Sequence, residues 1–153
     1  MAEYGIMAEQ LKALLDGTTW DITGLSNASA LIWMGLEDIN WAGFYLMRGG
    51  RLELGPFQGK PACTTIEPGK GVCGTAVTLG ETQLVRDVHL FPGHIACDSA
   101  SNSEIVIPLR RDGKIWGVLD IDSPLTGRFA EEDRDGLEAL ARIIEEKIIP
   151  EQE

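Results

Sequence analysis

Glu104-Ile-Val-Ile-Pro-Leu-Arg-Arg-Asp-Gly-Lys-Ile-Trp-Gly-Val-Leu-Asp-Ile-Asp122 decides the fold. Two apolar, β-branched runs, Glu104–Arg110 and Lys114–Asp122, flank Asp112-Gly113, a dipeptide that tolerates the left-handed backbone of a hairpin turn. Strand alternation then puts Trp116, Val118, Asp120 and Asp122 on one face. Where Glu104 falls depends on the turn. A two-residue loop pairs it with Ile121, on the face away from Asp120. A three-residue loop with Gly113 left-handed pairs it with Asp120. Only the second gathers three carboxylates on one surface, an arrangement that suits a cationic ligand.

The same logic extends outward. Upstream, Trp41–Met47 reads as a strand, Gly49-Gly50 as a hairpin turn and Arg51–Phe57 as the returning strand. Trp41 and Tyr45 share a face and can wall an apolar slot. Before that hairpin, Met7, Leu11, Leu14 and Leu15 form a helical stripe that Gly17 ends. Asp21 is placed to cap a second helix lined by Leu25, Ala28, Leu31 and Ile32. Downstream, Leu137, Leu140, Ala141, Ile144 and Ile148 mark a final helix stopped by Pro150. Between the hairpins, Gly59–Ser103 is loop-rich, with one short helix over Gly71–Leu79. Helices, hairpin, loop-rich middle, hairpin and helix give an α+β domain with an antiparallel sheet.

Composition sets the limits. The chain has 153 residues with 44% hydrophobic and 24% charged, which fits a single globular domain over residues 1–153. Against 13 Lys+Arg stand 24 Asp+Glu, a formal charge of −11 that repels nucleic-acid phosphate. The longest apolar stretch, near Ala28–Met34, falls far short of the ~20 residues that span a bilayer. Met1-Ala2-Glu3-Tyr4 lacks the basic start of a signal peptide, so the expected location is the cytoplasm, with no membrane partner.

The cysteines Cys63, Cys73 and Cys97 all lie in the loop-rich middle, outside the periodic core stripes. Three readings compete. A Cys₃His zinc site would add His94, but structural zinc ligands come in closely spaced Cys pairs and none is present. Gly69-Lys70-Gly71-Val72-Cys73-Gly74 spells G-x-G-x-x-G, yet Pro68 stands where a parallel strand should lead in. These glycines instead permit a tight entry into the short helix, with Cys73 in its first turn. The third reading is thiol redox chemistry, in which an accessible thiolate is oxidised and a second thiol resolves it. Neither a metal nor a cofactor is expected.

Phe91-Pro92-Gly93-His94-Ile95-Ala96-Cys97-Asp98, Ser103-Glu104-Ile105-Val106 and Val118-Leu119-Asp120-Ile121-Asp122-Ser123 together resemble the free methionine-(R)-sulfoxide reductases, stand-alone GAF-domain enzymes. Asn40-Trp41-Ala42-Gly43-Phe44-Tyr45, Ala62-Cys63 and the Gly69–Gly74 stretch fit the same family. The resemblance, running from about Trp33 into the last helix, implies a GAF-like fold. It also implies that Cys97 is the nucleophile, Cys63 the resolving thiol of a Cys63–Cys97 disulfide, and Cys73 an auxiliary thiol. Trp41 and Tyr45 would surround the substrate's methyl group and side chain. Glu104, Asp120 and Asp122 would bind the substrate, with Glu104 or Asp122 assisting at the sulfoxide oxygen. Thioredoxin would be the reductant and a homodimer the assembly. The contrasting expectation is a GAF-like module that binds a small molecule without catalysis.

Overall fold

The computed structural model describes residues 2–94 and 100–151. Two helices come first, α1 (Tyr4–Leu15) and α2 (Asp21–Gly35). The strands β1 (Trp41–Arg48) and β2 (Arg51–Gly59) follow as a hairpin whose turn, Gly49-Gly50, has φ of 58° and 83°. Next come β3 (Thr65–Ile66), α3 (Gly71–Leu79) and β4 (Gln83–Val85). The chain ends with β5 (Ser103–Arg111), β6 (Lys114–Ser123) and α4 (Glu131–Lys147). All strand pairs are antiparallel, in the order β3-β2-β1-β6-β5-β4. The loop-rich middle therefore holds two short strands that periodicity does not announce, one at each edge of the sheet.

Alternation along the central strands divides the core in two. Ala42, Phe44, Ile105, Ile107, Leu119 and Ile121 point to a layer formed by α1, α2 and α4. Trp41, Tyr45, Leu52, Val106 and Val118 point to the opposite layer, which α3 covers with Val72, Cys73 and Ala76.

Four local expectations change. Leu14 is 41% exposed, while Met7, Leu11 and Leu15 are buried. At ~100° per residue Leu14 sits about 60° round the helix from Leu11, outside the buried arc. Asp21 is the first residue of α2 and Trp20 is its N-cap. The Asp21 carboxylate instead accepts from the Ile22 and Glu151 amides, both at 2.7 Å, fastening the C-terminal segment to α2. Helix α4 ends at Lys147, before Pro150, because Ile148 turns to an extended backbone while staying buried.

The fourth change concerns the deciding hairpin. Asp112 and Gly113, with φ of 53° and 77°, make a two-residue turn that pairs Arg111 with Lys114. A bulge then follows, since Arg110 pairs with Ile115 but Leu109 with Gly117. Trp116 is the extra residue, and it packs against the helix-side core instead of sharing a face with Val118. Each partner beyond the bulge moves by one, so Glu104 pairs with Asp122 and Val106 with Asp120. Neither expected register occurs, yet the three carboxylates still share one face.

Candidate active site

The site lies on the α3 side of the sheet. On the neighbouring strand, Trp41 pairs with Asp122, Gly43 with Asp120 and Tyr45 with Val118. Two aromatic residues thus stand two residues to either side of Gly43, the partner of Asp120, with no side chain between them on that face of β1. Phe57 enforces that gap, because a Cβ on Gly43 would come within 2.3 Å of the Phe57 Cβ. Trp41 stacks on Tyr45 at 5.8 Å and on Phe57 at 5.1 Å. The polar ends of both rings pin the segment after β2. Trp41 Nε1 donates to the Lys60 carbonyl at 3.1 Å, and Tyr45 Oη donates to the Cys63 carbonyl at 2.9 Å.

Helix α3 closes this face from above. Gly69 and Gly71 have φ of 83° and 63°, and a Cβ on Gly74 would sit 2.5 Å from the Glu67 carbonyl oxygen. The glycines thus serve a tight turn into the helix, and Cys73 occupies its first turn, as the spacing suggested. Cys73 is a free, buried thiol beside the acids: donor atoms of Cys73, Glu104 and Asp120 all lie within 4.8 Å of one another. Cys63 is disulfide-bonded. Cys97 lies outside the described residues.

Burial sets the protonation pattern. Glu104 and Asp120 are only 8% and 5% exposed, whereas Asp122 is half-buried. Desolvation, followed by the charges of Asp120 and Asp122, holds the Glu104 carboxyl well above its usual range. Burial also raises Asp120, but hydrogen bonds from Glu104 and Cys73 favour its ionised form. The Cys73 thiol is pushed up by burial and then by the nearby carboxylates, and it bonds to Asp120. Burial raises the Tyr45 phenol as well, with Asp120 adding to it. Glu104 and Cys73 both hydrogen-bond to Asp120, and burial favours the protonated form of each. One oxygen of the Asp120 carboxyl group, Oδ1, is buried without a hydrogen-bond partner among the described residues.

The pocket over this cluster is lined by Trp41, Tyr45, Cys73, Glu104, Asp120 and Asp122. Its lining adds residues that sequence reasoning does not single out as ligand-facing, among them Lys70, Ser101 and the entry of α3 at Gly71-Val72. Lys70 precedes the helix as its N-cap residue, so the lining combines a cation and a helix N-terminus with the acids. His94 also lines the pocket, and burial lowers its pKa ahead of the effect of His89. The Cys₃His alternative divides here: among the described residues Cys73 groups with carboxylates, not with Cys63 or His94.

The chain is similar to known proteins over nearly its whole length. The GAF domain family model matches residues 10–148. The chain is 54% identical over 142 residues to the free methionine-R-sulfoxide reductase of Escherichia coli (strain K12), covering 93% of this chain and 86% of that one. The reduced form of fRMsr of Staphylococcus aureus superposes with a TM-score of 0.95 at 52% identity, covering 97% of each chain. The free methionine-R-sulfoxide reductase of Neisseria meningitidis, solved in complex with its substrate, superposes with a TM-score of 0.91 at 42% identity, covering 94% of this chain and 87% of that one.

Proposed function

Since the chain belongs to the free methionine-R-sulfoxide reductases within the GAF domain family, we propose that it reduces free L-methionine-(R)-sulfoxide to methionine. The observation that carries this reading is the unpartnered Oδ1 of buried Asp120, in a pocket whose lining also includes Asp122 and Lys70. A free amino acid is a zwitterion. Its ammonium fits Asp120 and Asp122, and its carboxylate fits Lys70 and the start of α3. A peptide-bound residue lacks both charges. Trp41 and Tyr45 then flank the methyl sulfoxide end.

In the proposed chemistry the Cys97 thiolate attacks the sulfoxide sulfur. Glu104, which keeps its proton, donates to the oxygen, so the S–O bond breaks with less charge build-up. The oxygen passes from the substrate sulfur to the Cys97 sulfur, a new S–O bond forming as the substrate's breaks. The transient bond between the two sulfurs then breaks, methionine leaves as the thioether, and Cys97 carries the oxygen and the Glu104 proton as a sulfenic acid. The Cys63 thiol attacks that sulfur, expelling water and forming a Cys63–Cys97 disulfide. Thioredoxin, by the same reading, reduces the disulfide, and the enzyme works in the cytoplasm as a single domain and a homodimer. Cys63, not Cys73, is the cysteine in a disulfide. That supports Cys63 as the resolving thiol and leaves Cys73 a part of the acid cluster.

The test is methionine release from the free R epimer with thioredoxin, its reductase and NADPH. The S epimer, a peptide-bound sulfoxide and Cys97→Ser serve as controls. Turnover of the free R epimer alone, lost in Cys97→Ser, is the expected result. No turnover even with dithiothreitol would leave a small-molecule-binding module in its place. Glu104→Gln retaining full activity would remove Glu104 as the proton donor.

A further inference from the structure

We infer that Cys73, Glu104 and Asp120 form a binding site for Zn²⁺, and that an ion there blocks the acidic end of the substrate pocket. The three donors come from a helix and two paired strands, and all three residues are buried. Their ligand atoms lie within 4.8 Å of one another. A tetrahedral zinc ion with bonds of ~2.0–2.3 Å holds its ligands about 3.5 Å apart, so side-chain rotations suffice to close the site. The buried Asp120 Oδ1 points independently to a cationic ligand, since it has no partner among the described residues. One sulfur and two carboxylates suit a borderline-soft ion and disfavour Mg²⁺ and Ca²⁺. Three protein ligands leave a fourth position open toward the pocket, where water completes the coordination.

Zinc binding forms one Zn–S and two Zn–O bonds, and any protons displaced from the three ligands pass to solvent. The metal site rests on this donor geometry, whereas its competition with substrate rests on the reductase reading.

The experiment uses a Cys63→Ser/Cys97→Ser variant, in which Cys73 is the remaining thiol. It is titrated with Zn²⁺ against a chromophoric chelator, and separately with Co²⁺. One ion per chain is expected, with a thiolate-to-cobalt charge-transfer band. Adding Cys73→Ser should abolish the band and weaken zinc at least 100-fold, and Asp120→Asn should weaken zinc while circular dichroism stays native. Zinc affinity unchanged by Cys73→Ser, or no binding at all, would overturn the site. Free methionine sulfoxide should displace the ion. If zinc binds at Cys73 in the variant but sulfoxide neither displaces it there nor is turned over by the wild-type protein, the metal site stands and the substrate assignment falls. If the wild-type protein turns over sulfoxide but binds no zinc, the substrate assignment stands and the metal site falls.

Discussion

The two faces of the central sheet are built from the same strands and do opposite work. The face toward α1, α2 and α4 is closed by aliphatic side chains and Phe44, many of them fully buried. Each such side chain contributes roughly 1.5–3 kcal/mol. The face toward α3 buries Cys73, Glu104 and Asp120 among its apolar residues, and leaves one carboxylate oxygen unpaired. Desolvating acids opposes folding. Period-two alternation lets one strand serve both purposes, since Leu119 and Ile121 support the fold while Asp120 and Asp122 line the pocket.

A matched pair of substitutions would break this comparison if it were wrong. Phe44→Ala, on the helix side, should lose about 3–5 kcal/mol of stability in urea unfolding, while molecules still folded retain turnover. Asp120→Asn, on the other side of the neighbouring strand, should lower kcat/KM by roughly 10²–10³-fold, as expected when a charge partner is removed from a buried site. Its stability should match or exceed that of the parent, because a buried charge has gone. An Asp120→Asn protein that unfolds as easily as Phe44→Ala would show that both faces are structural.

Glu104 sharpens the contrast through pH. Burial, then Asp120 and Asp122, raise its folded pKa, so the folded protein keeps a proton that the unfolded chain releases. Its penalty is absent below the ordinary glutamate range, about pH 4, and grows as pH rises toward the folded value. Stability should therefore fall with rising pH through that window. Glu104→Gln should flatten this part of the curve, read as urea midpoints across a pH series. Identical slopes in the two proteins would mean that Glu104 ionises normally.

Much of the architecture is legible in the sequence because long signals carry it. Both hairpins have turn dipeptides, and the helices have apolar stripes. The three acids and two aromatics expected at the site come together on one face. The strands β3 and β4, of two and three residues, are not legible, since such short segments gain their pairing only from the strands beside them. Lys70 gives no signal of its own, because its place on the pocket wall depends on how α3 packs. The carboxylate face is expected from alternation but reached through a different register. Turn length alone offers two choices, and a bulge two residues into β6 supplies a third.

That bulge yields the smallest and most discriminating prediction. Plain alternation would point Trp116 toward the substrate side, where replacing it would disturb activity. The bulge turns it to the helix-side core, where its Nε1 is buried without a hydrogen-bond partner among the described residues. Trp116→Phe removes that stranded donor along with part of the buried ring, two effects of opposite sign and each on the order of 1–2 kcal/mol. Melting should shift little, and kcat/KM should stay at the parent value. A loss of activity without a loss of stability would return Trp116 to the ligand face. The pairing of Glu104 with Asp122, which depends on the bulge, would then have to be redrawn.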